Sequence, residues 1–150
     1  MSELLDLYQE VILDHRKRPR NFHSMENADF QADGHNPLCG DRVTVFLKMH
    51  NGIIEDVSFQ GEGCAISIAS ASLMTESLKG KSSQEAEGLF GKFHDLVTDE
   101  STHREEGLSL GKLGVLAGVK AFPMRVKCAT LAWHTLHAAL AHENKMATTE

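Results

Sequence analysis

The chain has a deficit of basic charge, no long apolar run and only three cysteines, and each shortage excludes something. Lys and Arg number 15 against 21 Asp and Glu, a net charge of −6. That balance disfavours generic binding to nucleic acid or to an anionic membrane surface. No apolar stretch approaches the roughly 20 residues that span a bilayer, so no membrane partner is expected. Residues 1–12 mix acids with leucines and carry neither a basic lead nor a small-residue cleavage site, so no secretory signal is read there. Three cysteines cannot all pair within one chain. That odd number, without an export signal, points to the cytoplasm and to thiols kept free for metal or chemistry. Internal repeats and low-complexity tracts are also missing. A single domain over residues 1–150 is expected, and its 41% hydrophobic content is enough to build a core without disulfides.

Hydrophobic spacing divides the chain. Leu4, Leu5, Tyr8, Val11 and Ile12 fall on one stripe and predict an amphipathic helix with Ser2 as its N-cap. It should end near Arg18, because Pro19 disfavours the helical conformation in the residue before it. Residues 15–20 then form a basic patch, read either as a solvated turn or as a docking surface for an acidic partner. Over 42–49 the chain alternates, with Val43, Val45, Leu47 and Met49 on one face. Asn51-Gly52 follows, a strong hairpin signal because both residues tolerate positive φ. The return strand, 53–60, places Ile53, Glu55, Val57 and Phe59 on one side, with Glu55 at a sheet rim.

Beyond the hairpin the period becomes helical. Ile66, Ala69, Leu73 and Leu78 predict a helix over 65–78 that stops at Gly80. Ser82 or Ser83 caps the next helix, with Glu85 in its first turn. Residues 88–118 are punctuated by glycine and predict an insertion carrying short helices. Pro123 is suited to open the last helix, whose buried stripe is Ala129, Ala132, Leu136 and Ala139 or Leu140. Trp133 and the Phe122-Pro123 pair are read as core and helix-start residues. The tail from about residue 144 is expected to be flexible.

The three cysteines sit in settings suited to metal. Cys39 stands in His35-Asn36-Pro37-Leu38-Cys39-Gly40-Asp41 and Cys64 in Gly61-Glu62-Gly63-Cys64-Ala65. Cys128 follows Arg125-Val126-Lys127. The hairpin brings the first two together: Cys39 and Asp41 at the start of one strand, Cys64 just past the end of its neighbour. Cys64 falls at a helix N-terminus, where the dipole favours a thiolate. A lone cysteine in such a chain reads as a small buried hydrophobe. Three of them, with flanking glycines and Asp41, make the four-ligand set of a zinc site instead. The carboxylate is the hardest and most easily displaced ligand. A site with one exchangeable arm can trade it with a partner and release a nucleophilic thiolate. An iron–sulfur cluster is the competing occupant, held weakly by three thiolates and one oxygen. His35 is read as a loop hydrogen-bond partner rather than a ligand. Gly61-Glu62-Gly63 lacks the lysine or third glycine of a phosphate loop, so nucleotide binding is not expected.

These segments closely resemble the U-type iron–sulfur cluster assembly proteins, the IscU-like superfamily, and more narrowly its SufU branch. The resemblance runs from Leu7-Tyr8 and Pro19-Arg20-Asn21-Phe22 to Trp133-His134-Thr135-Leu136, nearly the whole chain. Two departures from the scaffold pattern select the branch. Lys127 stands where scaffolds carry a histidine before the third cysteine, and no Leu-Pro-Pro-Val-Lys segment is present; Ala121-Phe122-Pro123-Met124-Arg125 stands near its place. The resemblance implies an α+β fold, with a small antiparallel β-sheet packed against several helices. It implies zinc held by Cys39, Asp41, Cys64 and Cys128, with the three cysteines as ligands if a transient Fe–S cluster is bound. It implies a SufS-type, pyridoxal-phosphate cysteine desulfurase as partner, with Cys39 as sulfur acceptor, and downstream assembly proteins or apo-proteins as recipients. Any enzymatic role is at most that of a sulfurtransferase acting with the desulfurase. A scaffold on which a cluster is built and passed on is the alternative, and a purely structural zinc domain the third reading.

Overall fold

The computed structural model describes residues 2–37, 40–98, 113, 114, 116, 119, 123–141, 147 and 148. Cys39 and Phe122, both singled out by the sequence, lie outside the described residues. The elements run α1 (Ser2–Lys17), β1 (Phe30–Asn36), β2 (Asp41–His50), β3 (Ile53–Glu62), α2 (Ala65–Leu78), α3 (Ser83–Thr98), α4 (Pro123–Leu140) and β4 (Ala147–Thr148). Sheet order is β3-β2-β1-β4. β2 pairs antiparallel with both β1 and β3, and β4 pairs in parallel with β1. The expected α+β architecture is present. No helix among the described residues is long and apolar enough to cross a membrane.

Asn51 and Gly52 take positive φ, 52° and 78°, so the β2–β3 hairpin turns over the two residues suited to it. The inward face of β3 differs from strict alternation. Lys48 pairs with Asp56 but Met49 pairs with Ile54, which leaves Glu55 as an extra, bulged residue. The bulge resets the pleat, so Ile54 is fully buried and Ile53, expected inside, is 39% exposed. Val57 and Phe59 lie inward as expected.

β1 carries no apolar alternation, and it includes His35, expected in a loop. Ala32, Gly34 and Asn36 point inward from it. The reason is close packing: a Cβ on Gly34 would collide with the Thr135 hydroxyl and approach Leu131 on α4. Absence of a side chain, not hydrophobicity, lets α4 lie across β1.

α2 is buried on nearly all sides and is built from small residues. Its hydroxyls tie neighbours to it. The Ser70 hydroxyl donates to the Ala129 carbonyl of α4 at 2.5 Å. Ser72 Oγ accepts the Arg20 N–H at 2.8 Å and lies 2.6 Å from His15 Nδ1. The other ring nitrogen, Nε2, faces the Glu76 carboxylate at 3.6 Å. His15 thus leaves the expected basic patch: it is buried beneath α2, while Arg16, Lys17 and Arg18 stay exposed.

α3 opens with a capping box. The Glu85 carboxylate takes the Ser82 N–H at 3.0 Å, and Ser82 Oγ takes the Glu85 N–H at 3.1 Å. Residues 88–98 of the expected insertion are the second half of this one helix, and 99–112 lie outside the described residues. Phe93 and Phe90 stack on Trp133 of α4, at 4.8 and 6.4 Å between centroids. Pro123 opens α4, and Ala129, Ala132, Leu136 and Ala139 are buried. Within the segment from residue 144, Ala147 and Thr148 pair with Gly34 and His35.

His134 packs edge-on to Phe90 and His94 where α3 meets α4. Burial, with the charges of His94 and His137 adding to it, holds His134 below the usual histidine range. The unfolded chain then takes up this proton before the folded chain does, so the contribution is intact above about pH 6.5 and lost as pH falls through it. In metal-free protein, Tm should decline more steeply from pH 7.5 to 5.5 in the wild type than in His134→Gln, as followed by calorimetry. Gly34→Ala should cost roughly 1–3 kcal/mol by overpacking. Thr135→Ala in the same chain should recover part of that loss in a denaturant titration.

Candidate metal centre

The open end of the β2–β3 hairpin builds the centre. Arg42 pairs with Glu62, so Asp41 and Gly63 lie beside each other as the strands finish. The buried Asp41 carboxylate accepts the Cys64 N–H through Oδ1 at 2.8 Å, and its Oδ2 lies 3.7 Å from Cys64 Sγ. Gly63 has φ +154°, and a Cβ there would overlap the Asp41 carboxylate. Gly61 is equally constrained, since a Cβ on it would meet the Arg42 carbonyl oxygen. Both glycines flanking Glu62 therefore serve close approach.

Cys64 is the N-cap of α2, where its Sγ accepts the Ser67 N–H at 3.5 Å. Cys128, buried in the second turn of α4, presents its Sγ to the same place. The candidate ligand atoms of Asp41, Cys64 and Cys128 all lie within 4.8 Å of one another. Among the described residues they are the one group of three or more such side chains so arranged. Three of the four sequence-nominated ligands therefore converge. Cys39, the fourth, falls outside the described residues; next to it in sequence, Gly40 (φ +75°) donates its N–H to the Asn36 carbonyl at 2.8 Å. His35 is in β1, paired with Arg42 and Thr148, and is not in the group.

The half-buried Cys64 thiol is lowered from 9.0 to about 7. A hydrogen bond from Cys128 contributes most, and the N–H groups of Ser67 and Ile66 add to it. Burial and the Asp41 charge act in the opposite direction. Two thiols beside a buried carboxylate are a donor set that suits a thiophilic cation. Ideal tetrahedral zinc, with Zn–S near 2.3 Å, needs sulfurs about 3.8 Å apart. The candidate ligand atoms lie within 4.8 Å of one another, and a cation would offset the cost of gathering anionic groups out of water.

A groove of 670 Å³ leads to the two sulfurs. Its apolar walls include Ile12 and Leu13 of α1, Ile66 of α2 and Met124 of α4. Leu13 and Met124 are 53% and 54% exposed, unusual for large apolar side chains. Asn36 escaped the sequence reading. It is buried at the end of β1, with Nδ2 3.7 Å from Cys128 Sγ. The available signal was an amide directly before Pro37 in the same motif as Cys39.

A family model, the NifU-like N-terminal domain, matches residues 7–129. The chain is 42% identical over 142 residues to the zinc-dependent sulfurtransferase SufU of Bacillus subtilis (strain 168), covering 95% of each chain. It is 39% identical over 140 residues to the iron–sulfur cluster assembly scaffold protein IscU of Streptococcus pyogenes serotype M1, covering 93% of this chain and 86% of that one. The crystal structure of a protein described as an iron–sulfur cluster assembly scaffold for the SUF system, from Fervidobacterium islandicum AW-1, superposes with a TM-score of 0.81 at 37% identity, covering 89% and 96%. The matched segment contains Asp41, Cys64 and Cys128 together with β1, β2, β3, α2, α3 and the first turns of α4. The chain belongs to the NifU-like N-terminal domain family, among the iron–sulfur cluster assembly proteins.

Proposed function

We propose that this protein is a zinc-dependent sulfur acceptor in iron–sulfur cluster biogenesis. It takes persulfide sulfur from a SufS-type cysteine desulfurase by exchanging one zinc ligand with that partner, in the reducing cytoplasm, and passes the sulfur on to downstream assembly proteins or apo-proteins. The observation that carries this reading is the convergence of Asp41, Cys64 and Cys128 at the end of an exposed apolar groove. Likeness to a relative named as a zinc-dependent sulfurtransferase supports it. Cys39, two residues before Asp41, completes the ligand set and is the acceptor.

Zinc, when bound, keeps coordinating thiols deprotonated and withdrawn from oxidants. The protein's own groups do the rest. Asp41 holds the Cys64 N–H and so orients the start of α2, and its carboxylate is the weakest ligand of the set. Leu13 and Met124 flank the approach to the sulfurs with apolar surface that a partner loop can cover. In the transfer, the Cys39 thiolate attacks the outer sulfur of the partner's persulfide. The partner's S–S bond breaks, its electron pair leaves on the desulfurase cysteine as thiolate, and a new S–S bond remains on Cys39.

The scaffold reading has its own support, since the relative at 39% identity is named as a scaffold. Anaerobic reconstitution with iron and sulfide separates the two. Retention of zinc, with no visible-range cluster absorbance passed to an apo acceptor, is expected; efficient cluster transfer would favour the scaffold. With the zinc-loaded protein added, desulfurase turnover should rise, and absence of any rise would sink the sulfur-acceptor reading. Cys39→Ala should bring labelled persulfide on this chain to background while zinc content changes less than in Cys64→Ser or Cys128→Ser. Asp41→Ala keeps every thiol but should lower stimulation by about tenfold or more, in line with losses at perturbed metal sites. An unchanged rate would show that the carboxylate is not the exchanging arm.

A further inference from the structure

We propose that Asn36 is a positioning residue of the metal centre, holding the Cys128 sulfur in its coordinating orientation through an amide N–H. The inference rests on the metal-site reading above and adds a residue outside the ligand set.

Asn36 is fully buried, the last inward position of β1 after Ala32 and Gly34. It touches three segments that bring ligands to the centre. Across the sheet its register partner is Asp41. Its backbone carbonyl accepts the Gly40 N–H at 2.8 Å, at the end of the segment that carries Cys39. Its side-chain Nδ2 lies 3.7 Å from the Sγ of Cys128 on α4. A single residue thus joins Asp41 at the sheet end and Gly40 through its backbone, and Cys128 on α4 through its side chain.

The chemistry fixes which end of the amide does this. A coordinated thiolate accepts hydrogen bonds and cannot donate them, so only the NH2 end can face it. A buried amide costs free energy unless it is bonded, whereas a leucine of similar size would fill the space without that cost. The sulfur gives the Nδ2 end of the amide a partner that a leucine could not serve. Donors outside the ligand set orient metal ligands, and losing one typically weakens metal affinity 10–100-fold. Asn36→Leu removes the donor while keeping the bulk, and Asn36→Asp keeps the shape while placing an acceptor and negative charge against the sulfur.

The test is zinc affinity by competition with a chromophoric chelator, run on the wild type, Asn36→Leu and Asn36→Asp. The thiolate-to-metal absorption of the cobalt-substituted forms and the melting of the metal-free forms complete it. The expected result is a 10–100-fold loss of zinc affinity in both variants with an altered cobalt spectrum, while metal-free Asn36→Leu melts no lower than wild type. Wild-type zinc affinity and cobalt spectrum in both variants would overturn the inference while leaving the metal centre standing. A lowered metal-free melt with unchanged zinc affinity overturns it equally, because Asn36 would then be structural. If the wild type itself binds no zinc, the metal-site reading fails and takes this inference with it.

Discussion

The contact between the Asp41 carboxylate and the Cys64 N–H, at 2.8 Å, is what the centre depends on. It joins the first residue of β2 to the N-cap of α2, two points 23 positions apart in sequence but adjacent in space. It does so only because Gly63 has no side chain to keep them apart. A carboxylate at a helix N-terminus is favoured by the helix dipole and by the unpaired N–H groups there. The same bond that starts α2 also turns Asp41 and Cys64 towards a shared point. Folding and site assembly are in this respect one event.

The rest of the architecture carries the second sulfur to that point. α4 can lie close across β1 because Gly34 is bare, and close to α2 because α2 presents alanine and serine. The Ser70 hydroxyl on the Ala129 carbonyl fixes the height of α4 one residue from Cys128. On the other side of α4, Trp133 between Phe90 and Phe93 anchors its outer face against α3. The ends of the site are thus set by small residues and hydrogen bonds, and its far side by aromatic bulk.

Features with a local chemical signature were legible in the sequence. Asn51-Gly52 needs positive φ at two residues and has it, Ser82 and Glu85 form their reciprocal cap, and Pro123 and Gly80 mark helix ends. The pairing of the Asp41 and Cys64 neighbourhoods followed from the hairpin alone. What escaped depends on contacts made by other elements. β1 is a strand because α4 covers it, not because its residues alternate. Glu55 bulges because Ile54 is drawn into the core in place of Ile53. His15 is polar and stands beside three basic residues in sequence, but it is buried against Ser72, a partner 57 positions away. Asn36 belongs with these, since its reason for being polar is a sulfur on another helix.

The helices cover one face of the sheet, and parts of its two borders are covered as well. β4 lies along Gly34 and His35 at the β1 border. At the opposite border Asn21 accepts the Phe59 N–H and Lys81 accepts the Ile54 N–H. Strand addition, a common way for proteins to capture extended peptides, needs a free row of backbone donors and acceptors. At those positions the rows are already taken, and the surface that this chain presents beside the two sulfurs is made of apolar side chains rather than of open backbone.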